Sequence, residues 1–145
     1  MKNIKRNAGQ SLVEFALIFP LIFLLITGFL DLGRAVFAFS SVSNAVREGT
    51  RFATVNKTDL NSAYSSPYDN TIIDKVISYA VGVKLTKSQV SVVVSKDTDG
   101  FYTNISISAT HLFQPVTPGI KYIFGSKTGI PITAQSTMRI AQASR

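Results

Sequence analysis

The sequence has no cysteine, a single histidine and few charges. Without cysteine the chain forms no disulfide scaffold and no thiolate metal site, and cysteine catalysis is excluded. That lack does not exclude an extracytoplasmic address, because exported proteins need not carry disulfides. One histidine, His111, supplies no imidazole cluster for a metal and no spacing that suggests a Ser/His/Asp triad. On a predicted strand it reads as an ordinary core or surface residue. Only 16% of the residues are charged, against ~25% in soluble domains generally. Since 46% are hydrophobic, core-forming material is ample and intrinsic disorder is not expected. A chain of 145 residues suits one modest domain with an appendage.

The formal net charge is +7, but part of it is local. Lys2, Lys5 and Arg6 precede every acidic residue, and outside that head 12 basic residues face 8 acidic ones. The remaining cations are scattered, with no basic stripe interleaved with aromatics, so nucleic acid is not an expected partner. Asp97 and Asp99 read as turn formers, with a weak Ca²⁺ contact the other option. No cofactor and no metal site are expected.

A long apolar run dominates the first third. From Phe15 to Leu30 no residue is charged, and from Leu12 the run is 19 residues interrupted only by Glu14. At ~1.5 Å per residue it is roughly 28 Å long, close to the ~30 Å hydrocarbon layer. It has no polar face, and a chain this short has little interior in which to hide it on all sides. The leading reading is therefore a transmembrane helix over 10–30 that contacts membrane lipid, and the other is a buried core helix. The basic head orients it with the N-terminus cytoplasmic and everything after Asp31 outside. A cleaved secretory signal competes, but its best small-x-small exit, Ala38-Phe39-Ser40, lies far past the apolar run.

Helical periodicity continues beyond the run. Ala35, Ala38, Phe39, Val42, Ala45, Val46, Gly49, Phe52 and Ala53 recur at steps of three and four, which predicts an amphipathic extension over 31–55. Asp31–Arg34 and Glu48–Arg51 fall on the other faces as i,i+3 pairs worth a few tenths of a kcal/mol each, by the usual figure of ~0.2–0.5. One helix from about Gln10 to Val55, bent near Pro20, is predicted.

The remainder, 56–145, reads as a small extracytoplasmic α+β domain. Ser66-Pro67-Tyr68-Asp69 has helix-start chemistry. Ile72, Ile73, Val76, Ile77, Ala80 and Val81 follow at helical spacing, with Gly82 at the stop. Three alternating stretches begin at Val90, Thr103 and Ile130, the first two separated by the turn residues Lys96 to Gly100. The predicted fold is α+β: a long N-terminal transmembrane helix continuing into a domain with a second helix and a three-stranded antiparallel sheet. A sheet that small needs a helix over one face.

Glu14 requires explanation. An acid costs about 2.5–3.5 kcal/mol at mid-membrane, less near the edge, and intramembrane acids are commonly functional. Position alone leaves two readings open: a carboxylate resting in the head-group layer, or one that makes a specific contact.

The stretch Lys5-Arg6-Asn7-Ala8-Gly9-Gln10-Ser11-Leu12-Val13-Glu14-Phe15 resembles the processing site of type IV pilin-like proteins, which a prepilin peptidase cuts after the glycine. Gln10 replaces the usual Phe at the new terminus, and Phe15 replaces the usual aliphatic residue after Glu. Glu followed by an aromatic resembles the Flp, or tight-adherence, branch. The linked blocks Val13-Glu14-Phe15-Ala16-Leu17, Pro20-Leu21, Gly28-Phe29-Leu30-Asp31-Leu32-Gly33-Arg34 and Ala45-Val46-Arg47-Glu48-Gly49-Thr50-Arg51-Phe52-Ala53 resemble the TadE-like family. Thr50 stands where that family usually has Ala. The rest matches only in layout, with Pro115-Val116-Thr117-Pro118-Gly119 as a connection and Thr137-Met138-Arg139 ending the last strand.

The resemblance implies a minor pilin-like (pseudopilin) subunit acting in assembly of a tight-adherence pilus, structural rather than enzymatic. It implies a leader over 1–9 and cleavage between Gly9 and Gln10, with Glu14 and Phe15 as assembly contacts. Glu14 would neutralise the new ammonium at Gln10 of a neighbour in a low-dielectric setting. Implied partners are prepilin peptidase, other pilin-like subunits and the assembly platform, in a bacterial inner (cytoplasmic) membrane. The alternative is an uncleaved, membrane-anchored extracytoplasmic binding module. A soluble exported enzyme fits worst, because no catalytic constellation is visible.

Overall fold

The computed structural model describes residues 5–55, 70–96, 102–120 and 128–140. Helix α1 spans Lys5–Val55, 51 residues, or about 77 Å at the standard rise. It begins within the expected leader rather than at Gln10, and it continues through Pro20. In its first half Thr27 donates its hydroxyl to the carbonyls of Phe23 and Leu24 at 3.0 Å each, so this polar side chain is satisfied without water.

From Asp31 onward α1 becomes the spine of a small domain. Ala38, Val42, Ala45, Val46 and Ala53 are buried, as the periodicity predicts. Phe39 is the exception at 52% exposed. Period fixes its angle on the helix, but not whether an element stands opposite it at that height. Thr50, fully buried, joins the stripe by donating its hydroxyl to the Val46 carbonyl at 2.7 Å.

Helix α2, Asn70–Tyr79, packs on α1. The contact needs a glycine: a Cβ at Gly49 would overlap the Cγ2 methyl of Val76. The helix-start signal Ser66 to Asp69 lies outside the described residues. The helix stops before the expected Gly82, so Val81 is 73% exposed rather than part of the apolar face. Gly82, at φ +76°, turns the chain, and a Cβ there would also sit 2.9 Å from the Phe37 ring. The Ser41 hydroxyl, donating to the Val81 carbonyl at 2.7 Å, ties this exit to α1.

A short 3₁₀ turn, Lys87–Gln89, leads into strand β1, Val90–Lys96. Strands β2, Tyr102–Phe113, and β3, Ile130–Arg139, complete an antiparallel sheet in the order β1-β2-β3. The register pairs Val92 with Ile107 and Val94 with Ile105, then Ile107 with Ser136 and Ala109 with Ala134. Ile105, Ile107 and Ala109 are fully buried against the helices while Ser91 and Val93 face outward. The α+β layout expected from the alternation is therefore observed. Of the expected turn from Lys96 to Gly100, Lys96 instead ends β1, and residues 97 to 100 lie outside the described residues.

Candidate functional site

The residues expected for processing and assembly, Gly9, Gln10, Glu14 and Phe15, lie on the uncovered first half of α1. Residues 9 to 26 are all exposed. The most apolar 18-residue window of the helix has a mean hydropathy of 2.4, and none of it is buried. A Cβ at Gly9 would meet nothing within 4 Å. The helix brings Gln10 and Glu14 together one turn apart, the Gln10 side-chain amide donating to Glu14 Oε1 at 3.2 Å. Glu14 thus stands over the turn that begins at Gln10.

Phe15 points elsewhere. One residue on, it is rotated by ~100° from Glu14, and its ring lies 5.5 Å from that of Phe19. Phe19 in turn lies 6.2 Å from Phe23. The three rings form an i,i+4 ladder along a flank of the bare helix. The spacing of these phenylalanines carried that signal, but the sequence reading treated the segment as uniformly apolar.

The second constellation is more than the i,i+3 pair expected from the sequence. Arg34 does meet Asp31, at 3.0 Å, but Asp31 is 4% exposed and is the hub of a clasp. Oδ1 accepts the Val116 amide at 3.0 Å and Arg34 Nη1 at 3.0 Å. Oδ2 accepts both the Thr117 amide and the Thr117 hydroxyl at 2.7 Å. Burial pushes the Asp31 pKa up, but the amides of Val116 and Thr117, the Thr117 hydroxyl and Arg34 together outweigh it, lowering it from 3.8 to about 2. Arg34 also lies 5.4 Å from the centre of the Phe113 ring. The carboxylate thereby fastens the end of the apolar run to the loop between β2 and β3. The family-like block containing Asp31 and the Pro/Gly-rich loop were both visible in sequence. Their 85-residue separation hid the contact.

Glu48 and Arg51 behave as a solvated pair, 3.9 Å apart with side chains 54% and 71% exposed. Arg47 is exposed beside them. Gly28 and Gly33 have open space where a Cβ would be. His111 is half-buried on the inward side of β2, its Nδ1 buried without a partner among the described residues. Among those residues no three His, Asp or Glu side chains converge to hold a metal.

Residues 9–51 match the family described as TadE-like protein, in agreement with the resemblance of the sequence blocks. No curated protein and no solved structure matches the chain.

Proposed function

We propose that this chain, with its TadE-like N-terminal third, is a membrane-anchored pilin-like subunit that acts in assembly of a tight-adherence pilus. The observation that carries the reading is the division of α1. Its first half is bare and apolar with one carboxylate near its start, and its second half is the core of a small α+β domain. The first half suits lipid before assembly and the apolar helices of other subunits after it.

In this reading a prepilin peptidase cuts Gly9–Gln10 on the cytoplasmic side. That bond lies within α1, so the first turns must open for the protease. Glycine aids this, being about 1 kcal/mol less favourable than alanine in a helix interior. The cut releases an ammonium at Gln10, and Glu14 of an adjoining subunit neutralises it. The geometry supports this because Gln10 and Glu14 share a face one turn apart.

Substituting Glu14→Ala should leave the protein in the membrane fraction but impair piliation, whereas wild-type piliation by that variant would overturn the docking role. A second reading is an uncleaved anchor for an extracytoplasmic binding module. The unbroken helix across Gly9 and Gln10 favours it, and retention of the leader in the mature protein would decide for it.

A further inference from the structure

Where the bare half of α1 meets the domain, the fold leaves a cavity of about 480 Å³. Phe29 and Leu30, the last residues of the uncharged run, form its lower edge. Arg34, Lys84, His111 and Phe113 line it above. No carboxylate is among its lining residues. Arg34 spends one donor on Asp31, and a guanidinium has five. Lys84 is exposed and forms no ion pair among the described residues. His111 adds a buried Nδ1 without a partner there, a costly state that a small rotation toward an acceptor in the cavity would relieve.

We propose that this cavity holds the head group of an anionic phospholipid from the outer leaflet, its phosphate gripped by Lys84 and Arg34 and its glycerol end against the aromatic walls. The inference rests on the membrane-anchored reading of α1. Two features select a lipid over a soluble anion. The cavity opens at the upper edge of the apolar run, where head groups lie. Its lower wall, Phe29 and Leu30, is apolar and 67% and 64% exposed, which suits acyl chains and offers nothing to free phosphate. Charge complementarity selects an anionic lipid, because cations at a membrane surface attract anionic head groups. Bound lipid would fix the height of the domain above the bilayer.

The test is native mass spectrometry of the full chain released from its own membranes in mild detergent. Wild type should retain one anionic phospholipid in preference to phosphatidylethanolamine. Lys84→Glu should lower that retention about thirtyfold, as expected when a surface charge changes by two. Lys75→Glu, a reversal on α2 outside the cavity lining, should retain lipid as wild type does. Equal retention by wild type and Lys84→Glu would overturn the proposal, as would indifference to head-group charge. Displacement of the lipid by excess inorganic phosphate would reassign the cavity to a soluble anion and overturn it too. Wild-type protein recovered without membranes would refute the anchor itself, an outcome distinct from membrane-bound protein that carries no lipid.

Discussion

Asp31 shows how one side chain joins an anchor to a domain. Its carboxylate accepts the part-buried Val116 amide and satisfies the amide and hydroxyl of Thr117, which would otherwise be orphaned in a buried place. Asp31→Ala should cost about 3 kcal/mol, a large share of a typical 5–15 kcal/mol total. Arg34→Ala should cost under about 1 kcal/mol, because the Arg34 side chain is 53% exposed and screened. Chemical denaturation of the full chain in detergent would separate the two. The pH dependence follows from the sign of the shift. Asp31 titrates lower when folded, so its stabilising contribution is complete above about pH 4 and is lost as pH falls toward 2. Thermal denaturation across that window should show wild type losing more stability than Asp31→Asn; identical profiles would refute the clasp. Gly49 makes a similar point through shape. Gly49→Ala should destabilise by about 1–3 kcal/mol through overlap with Val76. Adding Val76→Ala should recover part of that loss, measurable as a non-additive double-mutant cycle.

The elements were largely legible because each has one dominant period. The alternation of Val90, Val92 and Val94, and of Ile105, Ile107 and Ala109, places the same residues inward that the structure buries or half-buries. An inside–outside pair of substitutions tests this directly. Ile105→Ala, at a fully buried position, should cost about 2–5 kcal/mol. Val93→Ser, at a position 57% exposed, should stay within about 0.5 kcal/mol. What periodicity could not supply was the identity of neighbours. Phe39 has the right angle on α1 but is 52% exposed among the described residues, and Val81 continues the pattern of α2 after the backbone has left the helix. The Asp31 contact to Thr117 was hidden for the same reason: a local charge pair explained both Asp31 and Arg34 well enough without a distant partner. At the N-terminus, Gln10 and Glu14 are four residues apart in the sequence, and the helix brings their side chains within 3.2 Å.

At the scale of the whole molecule, one helix serves two solvents. Its first half is apolar on all sides and uncovered, whereas its second half buries one apolar stripe under the sheet and α2 and leaves Val36, Phe37 and Phe39 exposed. The absence of native cysteine makes the orientation easy to test. Ser91→Cys, on the outward face of β1, should react with an impermeant maleimide in spheroplasts. Labelling only after lysis would place the domain in the cytoplasm and contradict the proposed orientation, which rests on the basic head of Lys2, Lys5 and Arg6.

In the proposed assembly, Glu14 is tolerated at the start of an apolar helix because it neutralises an ammonium created at Gln10. Mass spectrometry of the N-terminal peptide from assembled fibres, in cells with an active prepilin peptidase, reads that ammonium out. The expected peptide begins at Gln10. Functional fibres whose subunit still begins at Met1, with the basic leader intact, would refute the pairing.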